Sequence, residues 1–405
     1  MGNTPLLEGL HVVDLASFIA GPAAATVLGD FGADVVKVEQ PHVGDSYRYL
    51  IRVPPLPEAE GVNYPWQLDN RNKRSLALNL KSPAARPVLE RLVRWADVLI
   101  TNFPPPARAK LGLEYADLAA LNPRLIYADV TGFGETGPDA HLPGFDVTAY
   151  WARSGLMDLT RDRGAPPAMN VPASGDHATA ITLYAGIMTA LYRRQKTGQG
   201  ARVTASLLAE GAYAASIYLQ AVLAGGDNPR PVDRLHPPNA LANAYRTADD
   251  RWMMLVFVNE DKEVPLFLRA IGHPEAAQDP RFKDSASRHT HAAEIVALLD
   301  KAFATRPLAE WRQKFDAADL TYGVVQTPEE SARDPQLVAN KVLVPIDDGS
   351  AVPHLTIDSP VRLEQEQKVP PGPAPELGQH TGAVLSDIGF DAAGIQALRA
   401  GGAIA

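Results

Sequence analysis

Short apolar runs alternate with helix-patterned stretches through the first half of the chain. His11-Val12-Val13-Asp14-Leu15 predicts a buried strand. Pro22 stands where a helix opens, since its missing N–H would be unpaired there anyway. Ala23 to Leu28 has helix propensity, and Gly32 suits the helix's C-terminal cap. Asp34 to Glu39 predicts a second strand, which completes a βαβ unit and so implies a parallel pair. Ser75–Leu80, Asp97–Thr101 and Leu125–Val130 predict further strands, with a helix over Val88–Trp95. His177 to Arg194 is apolar nearly all round, which predicts a buried helix. A strand from Val203 and a long helix to Leu223 follow. The fold class is therefore α/β, a Rossmann-like doubly wound parallel sheet in a large domain.

The pattern breaks at Gly225-Gly226-Asp227-Asn228-Pro229. Beyond it, Trp252–Val258 predicts a strand, and Ala292–Phe303 and Leu308–Phe315 predict amphipathic helices, which reads as a smaller α+β domain. From about residue 331 prolines accumulate, and Pro370-Pro371-Gly372-Pro373-Ala374-Pro375 predicts a stiff extended arm. A last helix is expected over Asp391–Leu398. The expected division is 1–224 for the first part of the large domain, 225–330 for the small domain, and 331–405 for a linker that returns to the large domain.

The 405 residues carry 38 Lys+Arg against 47 Asp+Glu, a net charge of −9. That balance argues against a general nucleic-acid binder, which needs a basic face. The chain has no cysteine, which removes disulfides, thiolate metal sites and a cysteine nucleophile. Met1 to Pro5 has neither the basic nor the apolar part of a signal peptide. No run is long and apolar enough to suggest a membrane span. A cytoplasmic location is expected, with no membrane and no nucleic acid as partners.

Gly132-Phe133-Gly134-Glu135-Thr136-Gly137 matches the spacing of a dinucleotide loop, but Pro138 and Pro143 follow where a helix must start. It reads instead as a turn at the carboxyl end of a strand, beside the ligand crevice of an open sheet. Glu39 ends its strand where a ribose-binding acid would sit, or serves as a solvated strand end. Basic residues gather from Arg71 to Lys110, which suits a phosphate-bearing ligand, with Arg91 and Arg94 on the wet face of a helix. The histidines show no metal-ligand set, and no metal is expected. Asp176 directly precedes a helix. It reads either as an N-cap or as a carboxylate kept ionised by the helix dipole and so able to act as a nucleophile.

Several segments in succession resemble the family III CoA-transferases, among them formyl-CoA transferase, carnitine CoA-transferase and α-methylacyl-CoA racemase. They are Leu7 to Leu15, Ala20-Gly21-Pro22, Gly32 to Glu39, Gly44-Asp45, Asn72-Lys73-Arg74-Ser75, Asn102-Phe103, Leu111-Gly112-Leu113 and Leu377-Gly378-Gln379-His380-Thr381. The resemblance implies CoA transfer from an acyl-CoA to a carboxylic acid through an aspartyl anhydride and an aspartyl-CoA thioester. Asp176, between Gly175 and a helix closed by Lys196-Thr197-Gly198, matches the nucleophile, and Gly132 and Gly134 would form the oxyanion loop. Ile19, Gln40, Leu78, Lys81, Asn102 and Lys110 match CoA contacts. Gln40 and Lys110 replace arginines of formyl-CoA transferase, Ile19 replaces a glutamine, and His236 to Ala240 lacks that enzyme's glycine-rich loop. CoA or acyl-CoA would be a substrate, with no permanently bound cofactor, and the family's interlocked homodimer is expected. A racemase-like enzyme and a noncatalytic acyl-CoA-binding protein are the alternatives. Gly144-Phe145-Asp146 speaks against the racemase, because Phe145 cannot carry the proton that a histidine carries there.

Overall fold

A computed structural model describes residues 4–52, 56–57, 59, 61–229, 231–347 and 354–405. The chain divides into two compact units, one of Met1–Leu156, Met169–Ala224 and Pro335–Ala405, the other of Met157–Ala168 and Gly225–Asp334. The first unit is built on β1 (His11–Asp14), α1 (Ala20–Asp30), β2 (Asp34–Glu39), α2 (Tyr64–Asn70), β3 (Arg74–Ala77), α3 (Arg86–Trp95), β4 (Val98–Thr101), α4 (Pro105–Leu111), α5 (Tyr115–Leu121), β5 (Ile126–Thr131) and β6 (Ala201–Ser206). The six strands form one sheet in the order β3-β2-β1-β4-β5-β6. Every neighbouring pair is parallel, with Val13 opposite both Val36 and Leu99, and Leu99 opposite Tyr127. This is the strand order of the doubly wound nucleotide-binding folds, and the order reverses between β1 and β4.

Both faces of the sheet are covered, so its central strands are apolar on both sides. Val12, Val98, Ile100, Ile126 and Ala128 pack against α1 and the long helix Ser174–Thr197. Val13, Val36, Leu76, Leu99 and Tyr127 pack against α3 and residues from the end of the chain, including Val384, Leu385 and Leu398. Gly21 lets the start of α1 close on the β1 loop, where an added Cβ would collide with Ala16.

The long helix departs from the sequence expectation. It starts at Ser174 and is buried on one side only, through Ala180, Leu183, Tyr184, Ile187, Ala190 and Arg194; Tyr192 is exposed. The expected single helix after β6 is two, Leu207–Ala214 and Ser216–Leu223, broken at Ala215. The second of these buries none of its residues, and Ile217 and Leu223 are 83% and 80% exposed. The proline-rich arm is extended and lies on α2. The Pro373 carbonyl accepts from the Asn72 N–H, Gly372 from Gln67, and Pro375 from Trp66 and Arg48. The second unit has a three-stranded antiparallel sheet, in which Trp252–Leu255 is shorter than expected. Its core is aromatic, with Tyr245, Phe267, Phe303, Trp311 and Phe315.

Candidate active site

The loop after β1, Leu15–Ile19, lies where the strand order reverses. Two hydrogen bonds from one side chain pin it: the Ser17 N–H donates to Asn102 Oδ1 at 2.9 Å, and Asn102 Nδ2 donates to the Ser17 carbonyl at 2.7 Å. Asn102 follows β4, so these bonds join the loops on the two sides of the switch point. Asp45 holds the same loop by accepting from the Phe18 N–H at 3.1 Å, and it pairs with buried Lys37 at 2.9 Å. Lys37 also donates to the Ala16 carbonyl.

Under this loop sits a second buried cation. Lys73 Nζ donates to Asp14 Oδ2 at 3.0 Å, to Asn70 Oδ1 at 3.0 Å, and to the carbonyls of Pro22 and Asp69 at 2.8 Å each. The four acceptors come from β1, α1 and α2, so Lys73 fixes the last turn of α2 against the sheet. That turn presents Asp69, only 2% exposed. Asp69 Oδ2 accepts from the Tyr47 hydroxyl at 2.6 Å, and Oδ1 lies 3.1 Å from His177 Nε2. Burial and Asp69 push the Tyr47 phenol far up, so it remains a donor.

His177 follows Asp176 in the first turn of the long helix. Ala173, with φ 65°, holds the N-cap position, and Asp176 lies inside the helix; the N-cap reading of Asp176 is therefore corrected. The Gly175 N–H donates to Asp146 Oδ1 at 2.9 Å, and Asn170 Nδ2 donates to Oδ2 at 3.1 Å. Asp146 begins a π-helical segment, Asp146–Ala152, whose Tyr150 ring also presses on Gly175. A Cβ on Gly175 would collide with both Asp146 Oδ1 and the Tyr150 ring. Gly175→Ala is accordingly expected to displace Asp176 and to lower activity at least tenfold while the protein still folds. Steady-state rates alongside circular dichroism check this.

Asp69 contacts the His177 ring, and the charges of Asp146 and Asp176 act on it as well. Asp69 and Asp146 have hydrogen-bonding partners; the Asp176 carboxylate has none among the described residues. Burial first, then the charges of Asp146 and Asp69, push the Asp176 carboxyl up to about 7, against the opposing pull of His177. The carboxyl is therefore not held fully ionised at neutral pH, as the helix terminus alone would suggest. Above neutral pH Asp176 is a carboxylate, more basic than usual and without a hydrogen-bonding partner among the described residues. That is the state a carboxylate nucleophile requires.

A sequence model of CoA-transferase family III matches residues 7–381. The chain belongs to CoA-transferase family III. It is 34% identical to (R)-2-hydroxy-4-methylpentanoate CoA-transferase of Clostridioides difficile, over 95% of this chain and 96% of that one. It is 33% identical to cinnamoyl-CoA:phenyllactate CoA-transferase of Clostridium sporogenes, over 98% and 96%. A crystal structure of a CAIB/BAIF family protein from Brucella suis superimposes with a TM-score of 0.83 at 31% identity, over 95% of this chain and all of that one.

The residues expected to hold CoA lie in different settings in this transferase. Lys81 and Lys110 line one surface groove of about 410 Å³, with Leu80, Arg86 and Leu111. Gln40 is exposed at the end of β2. Ile19 is 7% exposed and precedes α1. Leu78, at 1%, belongs to the core under α3. The Asn102 amide is spent on Ser17. The Gly134 N–H donates to Thr131 Oγ1 at 2.9 Å, so in this arrangement it is not an open oxyanion donor. Gly132 packs directly on Gly144, which ties the loop after β5 to the Asp146 segment.

Glu39 is neither a ribose ligand nor a solvated strand end. It is buried and accepts from Arg48 at 2.7 Å and from the Ser75 hydroxyl at 2.7 Å. The basic run is also largely spent inside the protein: Arg71 pairs with buried Asp30 at 2.7 Å, and Arg74 with Asp34 and Asp387. No group of three or more potential metal ligands occurs among the described residues, and none of their helices is long and apolar enough to cross a membrane. Sequence reasoning missed Tyr47, Asp69 and the structural role of Asp146. Gly175 beside Asp176 was the one local signal of so close a packing.

Proposed function

We propose that this transferase moves CoA from an acyl-CoA to a carboxylic acid with Asp176 as nucleophile. One observation carries the reading: the Asp176 carboxylate has no hydrogen-bonding partner among the described residues, while Asp69 and Asp146 beside it are fixed by hydrogen bonds. An Asp176 oxygen attacks the thioester carbonyl, the C–S bond breaks, and an acyl-aspartyl anhydride and the CoA thiolate form. The thiolate then attacks the aspartyl carbonyl and releases the donor acid, which leaves aspartyl-CoA. The incoming carboxylate repeats these steps in reverse and departs as its own CoA thioester. No net proton is transferred, so the demand on the protein is electrostatic: anions must be brought together and held.

This sequence moves oxygen as well as CoA. With an acceptor acid labelled with oxygen-18 in its carboxylate, one labelled oxygen enters the Asp176 side chain per turnover. Peptide mass spectrometry would read that mass gain; label that never reaches Asp176 over many turnovers contradicts the mechanism.

The adenosine phosphates of CoA are assigned to the groove of Lys81 and Lys110, which with Arg86 gives three basic side chains and no carboxylate in the lining. Lys110→Ala is expected to weaken CoA binding about threefold to tenfold, more at low than at high salt. Binding titrations at two ionic strengths check it, and an unchanged affinity at both removes Lys110 from the site. The interlocked homodimer is likewise proposed. The exposed apolar residues Tyr213, Ile217, Tyr218 and Leu223 support it, being a patch of the kind that marks an interface.

A further inference from the structure

Beside the Asp69–His177 pair lies a cavity of about 550 Å³ in the first unit. Its wall is apolar over Ala23, Val27, Ile181, Val342 and Ile357, and His177 is at its edge. The imidazole uses Nε2 toward Asp69, and nothing among the described residues takes Nδ1. The His177 side chain is 41% exposed, whereas Asp69 behind it is 3% exposed. An imidazolium has an N–H on both nitrogens, so a charged His177 offers Nδ1–H outward while Asp69 anchors the ring from within. A cavity with hydrocarbon along its wall and the cationic groups of His177, Lys341 and Arg362 in its lining matches a carboxylate that bears an apolar substituent.

We propose that this cavity binds the carboxylic acid substrate, with the carboxylate on His177 and a branched or aromatic hydrocarbon substituent against Val27, Ile181, Val342 and Ile357. Tyr47 and Asp69 are positioning residues, acting through His177. The inference rests on the transferase reading above and names the substrate class for it: apolar monocarboxylic acids in preference to oxalate or formate.

The charges facing His177 support this. Burial opposes its protonation, but the hydrogen bond to Asp69 and the carboxylates of Asp69, Asp176 and Asp146 outweigh burial and hold the ring above the ordinary histidine range. Asp69 itself, Arg71, Lys341, Asp358 and Arg362 also line the cavity. Arg71 is paired with Asp30, and Asp358 with Lys368 at 2.9 Å. Arg362 donates to the Asn340 carbonyl at 2.6 Å.

The test is direct binding of 4-methylpentanoate and of acetate to the full chain, followed by ligand-observed NMR titration. It is run in an Asp176→Asn background so that Asp176 does not titrate in the same range. 4-Methylpentanoate is expected to bind at least tenfold tighter than acetate, and its affinity to fall as pH rises through the titration of His177. His177→Gln should weaken both acids about tenfold and remove that pH dependence. Ile181→Trp, which fills the cavity, should weaken 4-methylpentanoate at least tenfold and leave acetate within twofold. Asp69→Asn should move the loss of binding to lower pH. Affinity unchanged in His177→Gln, or both acids weakened equally by Ile181→Trp, would overturn the assignment. An unmoved pH midpoint in Asp69→Asn would remove Asp69 from its positioning role. Binding needs no turnover. Acid binding without an aspartyl adduct in the parent enzyme therefore counts against Asp176 alone, and an adduct without acid binding counts against this cavity alone.

Discussion

Asp176→Ala is expected to abolish CoA transfer, with a loss of at least a thousandfold, while CoA still binds. The substitution removes the only carboxylate in the cluster that has no hydrogen-bonding partner among the described residues. It leaves the groove of Lys81 and Lys110 untouched. Asp69 and Asp146 cannot replace it, because each is fixed by donors on both oxygens. The parent enzyme should also lose activity as pH falls. Asp176 titrates at about 7, and the proposed attack needs its ionised form, so the active form is expected above that pH and lost below it. The rate of CoA release from acyl-CoA, followed from pH 5 to 9, should show this acid limb. A limb centred near pH 4 would mean that burial and Asp146 do not act on Asp176 as the geometry implies.

Lys73→Met is expected to destabilise the protein by about 3–5 kcal/mol, the usual cost of removing one partner from a buried ion pair. The methionine keeps much of the side-chain volume but none of the four hydrogen bonds. It leaves Asp14 with only Lys37, 3.8 Å away, as a charged partner. Burial, with help from Lys37, already holds the Lys73 ammonium down to about 8, so its four acceptors offset only part of the desolvation. The cost of losing them is nonetheless large, because Asp14 and two carbonyls then stay buried with fewer donors. Urea unfolding, with the midpoint and slope both measured, reads the change. A shift under 1 kcal/mol would show that the cation is not what fixes α2. Since α2 presents Asp69, the same variant should lose activity below its unfolding temperature.

The six strands of the sheet were legible because short apolar runs and period-two alternation, as over Ser75–Leu80, need only neighbouring residues. The helix Ser174–Thr197 was legible in place and length but not in burial. Its exposed Tyr192 and the partly buried Ile181 and Met188 look the same in sequence as the residues fully buried against the sheet. Asp176 was legible as a residue of interest but not in its charge state, since Asp146 and Asp69 come from distant segments. The Asp69–His177 contact spans 108 positions in the chain, and nothing local to Asp69 marks it. The run Arg71 to Arg74 read as a phosphate patch because its acidic partners Asp30, Asp14 and Asp34 lie 40 to 59 residues earlier. Composition shows a charge but not the buried carboxylate that neutralises it.

The most direct measurement is to trap the enzyme during turnover. Incubation with an acyl-CoA followed by hydroxylamine should convert Asp176, and no other carboxylate, to the hydroxamate seen in the peptide mass spectrum. A protein that transfers CoA at full rate with Asp176 unmodified, or a hydroxamate at Asp146 or Asp69 instead, would contradict covalent catalysis by Asp176.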